Sequence, residues 1–313
     1  MCKYTFLLPA FKAKYLSIAI ESILSQTYKD FKLIVVDDDS PEDLKSIVKS
    51  FSDDRIAYIR NEINLGGKNL CDNWHHCLQY VSTEYMVLAS DDDLYEKDFL
   101  EYVDKYTYVY PKSSVVRCNT RIINGKGEIE KEDDVFKTAN ISLAGYLLDF
   151  FPKQVRCIAN TVYKTSWIKQ HGYSVYDLAW HTDNMTAFKA AEDNGIILIG
   201  DKILFNFRVS GINISSTNTV EYILRKSKAS SLYFSELSKL IDRLPVPLCK
   251  RLSIRFQYIR TARLSFYAYL CNCNKGAKII MKNISDCDLF HPIQMLVLLT
   301  IVLKRLINKI YLK

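Results

Sequence analysis

Two runs of carboxylates are the residues of this chain whose types and spacing most suggest chemistry: Asp37-Asp38-Asp39 and Ser90-Asp91-Asp92-Asp93. Neighbouring carboxylates repel one another, and a hard cation such as Mg²⁺ or Mn²⁺ is the usual reason for them to stand together. The second run is the stronger signal. In an extended chain Asp91 and Asp93 would point one way and Asp92 the other, so a single cation would take one or two of the three. The competing reading is an acidic loop that caps a helix predicted over residues 94–106. By itself the first run would serve equally well as a solvated turn.

The flanking periodicity says what positions these carboxylates. Residues 4–8 are a short apolar run ended by Pro9, and residues 31–36 are rich in β-branched side chains; both read as buried strands. Residues 15–26 carry Leu16, Ala19, Ile20, Ile23 and Leu24 at helical spacing. Ser40-Pro41-Glu42-Asp43 reads as a helix start with Ser40 as its cap. A strand over 55–60, a helix over 69–81 and a strand over 85–89 come next. Alternation with short loops predicts an α/β fold, a mostly parallel sheet flanked by helices. Ligands of such sheets sit outside the carboxyl ends of the strands, and both acidic runs fall there. Further on, strands are expected over 114–123 and 196–209, helices near 142–150 and 180–194, and a turn at Asn124-Gly-Lys-Gly-Glu128. From residue 218 the pattern is helical, with no glycine between 212 and 275 and a break at Pro245 and Pro247.

Bulk composition narrows the class. With 49% hydrophobic and 25% charged residues, the chain has enough apolar surface for a packed core, which excludes disorder. The nine cysteines are odd in number and lack framework spacing, so they read as reduced thiols. Cys271, Cys273, Cys287 and His291 could be drawn as zinc ligands, but Cys-x-Cys is not knuckle spacing. Lys12 and Lys14 interrupt the first apolar run, so it reads as a strand rather than a secretion signal and the protein as cytoplasmic. Residues 221–313 carry 17 Lys and Arg against 5 Asp and Glu; the whole chain stands at +7, which leaves the first 220 residues net acidic. The basic part would face either nucleic acid or an anionic membrane. Residues 293–303 are apolar but only about half the length of a membrane span. Followed by Lys304, Arg305, Lys309 and Lys313, they suit either an interfacial helix or one packed on the protein.

Taken together, Leu7-Leu-Pro-Ala-Phe11, Ser22-Ile-Leu-Ser-Gln-Thr-Tyr28, Val35-Val-Asp-Asp-Asp-Ser40, Asn64-Leu-Gly66 with Asn73-Trp74, and Ser90-Asp-Asp92 resemble the opening of glycosyltransferase family 2, the inverting transferases of GT-A fold. The likeness is close over residues 4–101, loose over 156–215 and absent after about 218. It implies a GT-A-like catalytic domain over 1–217, with a nucleotide-sugar half (1–110) and an acceptor half (111–217). A basic helical extension over 218–313 completes the chain.

By the same resemblance Asp38 corresponds to the carboxylate that accepts the uracil N3–H of a UDP donor, and Asp91 to the residue near the ribose. Asp92, with Asp93 beside it, corresponds to the holder of Mn²⁺ or Mg²⁺ on the diphosphate. Pro9 and Asn73, inside matching segments, join the donor side. The family's second-half acidic pair corresponds to Thr182-Asp183, which makes Asp183 the general base rather than His181; helix capping is the plain alternative. Phe207-Arg-Val-Ser-Gly-Ile-Asn213 corresponds to the family's next element, which places Arg208 on the diphosphate. The chain departs from the pattern at Ser90, at Thr182, and at Ser210 where histidine is common. The implied partners are a nucleotide-sugar donor and a glycan acceptor, polyprenyl-linked in bacterial surface-polysaccharide synthesis. The anionic inner face of the plasma membrane is the expected place, and nucleic acid is not an expected partner. A receiver-like signalling module also begins with such an acidic strand end, but there that strand opens the domain. A nucleic-acid binder would gain nothing from two acidic clusters at strand ends.

Overall fold

The computed structural model describes residues 2–151, 154–211, 213, 216–273, 276–290 and 300. They fall into two units: Met1–Val175 with Thr182–Gly211, and Tyr176–His181 with Ile212–Lys313.

The first unit runs β1 (Tyr4–Ala10), α1 (Leu16–Leu24), β2 (Phe31–Asp37), α2 (Leu44–Lys49), β3 (Ile56–Arg60), α3 (Leu70–Cys77), β4 (Tyr85–Leu88), β5 (Leu94–Tyr95), α4 (Phe99–Val109) and β6 (Val115–Asn124). It continues through β7 (Ile129–Glu132), β8 (Ala139–Ile141), a single turn α5 (Leu143–Gly145) that widens over Tyr146–Phe150, β9 (Thr161–Lys164), α6 (Thr165–His171), α7 (Thr182–Ala190) and β10 (Ile196–Val209). One sheet carries the order β3-β2-β1-β4-β9-β6-β10-β5, with β7 on β6 and β8 on β10. Strands β3, β2, β1 and β4 are parallel, whereas β9 is antiparallel to both β4 and β6. The sheet is therefore mixed, and parallel through the region where helices alternate with strands. Beneath β1, the Phe6 ring meets Phe31 and Tyr95 edge-on at 5.7 and 4.9 Å; such pairs add about 0.5–1.5 kcal/mol each beyond their buried area.

Two local differences from the sequence reading have simple causes. The cap of α2 is Asp43, whose carboxylate accepts from Ser46 N; Ser40 is instead drawn to the Phe11 carbonyl at 2.6 Å. The helix expected from residue 94 starts at Phe99, because Leu94 and Tyr95 pair with Asn206 and Phe205 of β10. On β10 the pairing with β6 slips between Ile199 and Ile203, a bulge of the kind that bends a strand and re-aims its second half. A Cβ at Gly200 would lie 2.3 Å from the Phe136 ring, so the close packing at this bend requires glycine.

The second unit consists of α8 (Val220–Arg243), α9 (Leu248–Asn272) and α10 (Ala277–Ser285), with Pro247 capping α9. It takes in a strap, residues 176–181, from between α6 and α7 in sequence. Arg225 grips Asp177 through two hydrogen bonds of 2.9 and 2.7 Å and holds that carboxyl below its usual range. Tyr176 donates to Glu236, Trp180 Nε1 donates to the Tyr269 hydroxyl at 2.9 Å, and His181 stacks on Tyr233 at 4.2 Å. Leu178, Ala179 and His181 all have positive φ (59°, 52° and 72°), a conformation that side-chain-bearing residues keep only when their surroundings over-determine it. All nine cysteines are free thiols. Among the described residues no helix is long and apolar enough to cross a membrane; of the expected apolar segment 293–303, all but residue 300 lies outside them.

Candidate active site

The site begins where β1 and β4 part. Their pairing ends at Leu7 with Leu88, one further bond joins Ala89 N to Leu7 O at 2.7 Å, while β1 stays paired with β2 to Ala10. Pro9, which has no N–H to offer, falls where the β4 side is no longer paired, so its presence in a central strand costs no ladder bond. Strand order also reverses here, β2 and β3 lying to one side of β1 and β4 to the other, which marks the switch point where such sheets take ligands.

Asp91 clasps this gap. Its Oδ2 accepts from both Phe11 N and Lys12 N at 2.9 Å, tying the end of β4 to the end of β1. Burial raises the carboxyl above its ordinary value, while the two amides pull it back. Asp92 is next, buried at 6% exposure, with Oδ1 accepting from Ser90 Oγ at 2.5 Å. Asp93 turns inward, where its Oδ1 accepts from Arg208 N at 2.8 Å. Burial, and then the Asp92 charge, push its carboxyl well above the ordinary range, against the pull of that amide.

Asp37 and Asp38 divide their work. Asp37 accepts from Ser40 N, Tyr58 Oη and Arg60 Nη1 at 2.8, 2.5 and 2.7 Å, so it is consumed in holding the ends of β2 and β3. Asp38 accepts from Asn61 Nδ2, Leu65 N and Gly66 N at 2.8, 3.0 and 2.7 Å, which uses three of the roughly four lone-pair directions of a carboxylate. Asn61 Nδ2 also reaches Asn73 Oδ1 at 3.2 Å. Asp38, the loop after β3 and the first half of α3 are thus one hydrogen-bonded group. A Cβ on Gly66 would sit 2.8 Å from Asp38 Oδ2, which is why the loop closes on the carboxylate only with glycine there.

Arg208, brought in by the second half of β10, is 2% exposed. Its Nε donates to Asp92 O at 2.8 Å, its Nη1 to Asn124 O at 3.2 Å, and its guanidinium lies 4.6 Å from the Tyr15 ring. These contacts make it a brace for the 92–93 backbone. Asp183 stands in the first turn of α7, partly exposed. Burial lifts its carboxyl above the ordinary value, and Arg117 and Arg156 draw it back. Burial, and then the Asp93 charge, push the Cys157 thiol well up; Asp183 adds to this, while the Asn160 amide and Arg117 oppose it.

The donor set fits a hard divalent cation. Asp92 places its carboxylate at a strand end with Oδ1 accepting from Ser90 Oγ, while Asp91 and Asp93 each accept from backbone amides. Among the described residues no cage of three or more His, Cys, Asp or Glu side chains forms. That is the pattern for Mg²⁺ or Mn²⁺ held by one or two carboxylates and completed by substrate phosphates. The structure thus brings Pro9, Asp38, Asn73, Asp91, Asp92, Asp93 and Arg208 to one end of the sheet, with Asp183 in the first turn of α7. Asn61 opens the segment 61–74 that resembles the family, yet nothing in the sequence assigns it a role, and Arg117 gives no signal there.

A strand-end carboxylate clasp at the switch point of a mixed sheet, with a further acid on the opposite half, is the arrangement that the resemblance to GT-A glycosyltransferases implies. The glycosyl transferase family 2 profile matches residues 5–172, and the chain belongs to that family. It is 24% identical over 281 residues to the GalNAc(5)-diNAcBac-PP-undecaprenol beta-1,3-glucosyltransferase of Campylobacter jejuni, covering 82% of this chain and 90% of that one. In structure it is similar to S. aureus TarS 1–349 in complex with UDP-GlcNAc, with TM-score 0.65 and 16% identity over 91% of this chain and 81% of that one. It is also similar to the mannosyltransferase PcManGT of Pyrobaculum calidifontis in complex with GDP-Man and Mn²⁺, with TM-score 0.54 and 15% identity over 98% and 88% of the two chains.

Proposed function

We propose that the protein transfers a hexose or N-acetylhexosamine, with inversion, from a UDP-sugar to a lipid-linked glycan in bacterial surface-polysaccharide synthesis, in a reaction dependent on Mn²⁺ or Mg²⁺. The observation that carries this reading is the Asp91 clasp across the β1–β4 gap, which fixes Asp92 at a strand end. Asp38, with Asn61, Asn73 and Pro9 around it, lines the nucleoside end. Asp91 lies toward the ribose and Asp92 toward the diphosphate, with Asp93 and Arg208 supporting Asp92 from behind. A cation held there would neutralise charge on the departing nucleoside diphosphate. Asp183 takes the proton of the acceptor hydroxyl as its oxygen bonds to the sugar anomeric carbon. The bond from that carbon to the diphosphate oxygen breaks on the opposite face, which inverts the centre.

The lipid-linked acceptor is supported by the undecaprenol-diphosphate substrate in the name of the C. jejuni relative, and the UDP donor by the UDP-GlcNAc bound to TarS. The basic balance of residues 221–313 supports work at the anionic inner face of the membrane. A panel of UDP- and GDP-sugars, assayed for nucleotide release with Mn²⁺ and with EDTA, tests the reading. Release from one UDP-sugar that EDTA abolishes is expected. EDTA-insensitive release, or turnover of GDP-sugars alone, would overturn it.

A further inference from the structure

Arg117 lies on β6 between Thr161 of β9 and Leu198 of β10, and its side chain is fully buried. Its guanidinium donates through Nε to Thr161 Oγ1 at 3.0 Å, through Nη1 to Tyr146 Oη at 2.8 Å and through Nη2 to the Asp183 backbone carbonyl at 3.2 Å. All three acceptors are neutral oxygens. A cation buried among neutral groups is costly, and an apolar side chain of similar size would often serve stability as well or better. The carboxylate within electrostatic reach of Arg117 is that of Asp183.

We propose that Arg117 is the positioning residue of the acceptor side, tethering the first turn of α7 by the Asp183 carbonyl and supplying the buried positive charge against which the Asp183 carboxylate works. The proposal rests on the reading of Asp183 as the base. Proton abstraction requires an ionised carboxylate, and burial alone would hold this one protonated into a higher pH range. The groups that bear on it are the cations Arg117 and Arg156 and then the backbone amides of Asn184 and Asp183, all drawing it down, with Tyr146, Tyr163 and Cys157 around Arg117. Arg156 is tied elsewhere, donating to Phe151 O at 2.9 Å and lying over the Phe151 ring. Arg117, bonded to the residue itself, is the closer control.

The test is a pH–rate profile of the full chain with saturating UDP-sugar and metal, for wild type, Arg117→Met and Arg117→Lys. For Arg117→Met the acid limb of kcat should move up by about one pH unit or more, so turnover on that limb falls roughly tenfold per unit and recovers at higher pH, with KM for the donor unchanged. Arg117→Lys keeps the charge and should keep a near-wild-type limb. An unmoved limb in Arg117→Met, or equal displacement in both variants, overturns the proposal. If Arg117→Met does not fold, direct NMR titration of the Asp183 carboxyl in Arg117→Lys and wild type decides. Nearly equal values support a charge role and a large rise refutes it. A carboxyl that titrates as expected while Asp183→Asn remains active would instead discard Asp183 as the base.

Discussion

On the side proposed for the donor the carboxylates are caught by backbone amides of neighbouring segments: Asp91 by Phe11 and Lys12, Asp93 by Arg208, Asp38 by Leu65 and Gly66. Asp183, proposed for the acceptor side, is also met by backbone amides, those of its own residue and Asn184, but it works in addition beside two guanidinium charges, Arg117 from β6 and Arg156 from the segment before β9. Amides placed by a parallel sheet need no particular neighbour, so that half can be built from short motifs. A buried guanidinium must instead be brought in by a distant strand and satisfied atom by atom. The carboxylates at the ends of β2 and β4 are therefore fixed chiefly by backbone amides, whereas Asp183 adds guanidinium charge to its amides.

Three measurements would break or sharpen that contrast, and a fourth gives a baseline away from it. The largest effect is expected for Asp92→Asn, which keeps shape and loses the charge a hard cation needs. Metal-dependent turnover should drop by at least about 10³-fold with an unchanged circular dichroism spectrum, and near-normal turnover at saturating Mn²⁺ would take Asp92 out of the site. Next, Asp183→Asn should lower kcat by about 10²–10⁴-fold and leave nucleotide affinity almost untouched. A large loss of nucleotide binding would move Asp183 to the donor side and erase the division. Gly66→Ala comes third. The added Cβ, 2.8 Å from Asp38 Oδ2, should weaken nucleotide binding by about 1–3 kcal/mol in titration calorimetry while kcat on saturating donor holds; unaltered affinity would show that the loop yields freely.

The smallest effect belongs to Asp53, away from both halves of the site. Its hydrogen bonds and ion pair with Arg55 hold its carboxyl down at about 2. A folded-state value below the unfolded one stabilises the protein above the unfolded value of about 4, and that stabilisation disappears as pH falls through about 2. Both side chains are about a quarter exposed, so screening limits the contribution to about 0.2–1 kcal/mol. Urea unfolding of Asp53→Asn against wild type should show this small deficit at pH 7 and none near pH 2. A gap that is the same at every pH would exclude the ion pair as its source.

The donor half was largely legible because its information is local. Alternating strand and helix periods placed β1 to β4 and both acidic runs at strand ends, and the expected strand over 196–209 coincides with β10. The features that escaped are long-range or short. Strand β5 is two residues, too few for a period to register, and the four residues of β9 lie in a stretch without the regular alternation that frames β4. Arg117, in the run Val115-Val-Arg-Cys-Asn119, reads like a solvent-facing strand position, because alternation cannot reveal that both faces of a central strand are covered. The turns at Leu178 and Ala179 give no sign either, since neither residue favours positive φ, and His181, of a type enriched there, is too weak a sign by itself.

The strap has a consequence for anyone recombining this protein with its relatives. Residues 176–181 interrupt the first unit in sequence yet take their side-chain partners from α8 and α9, through Arg225, Ser230, Glu236 and Tyr269. A chimera joined by one crossover after Gly211 would keep the parental strap and lose every one of these partners, leaving a two-pronged acid–aromatic segment with nothing to grip. The interchangeable piece is discontinuous: six residues upstream and the helices downstream must travel together.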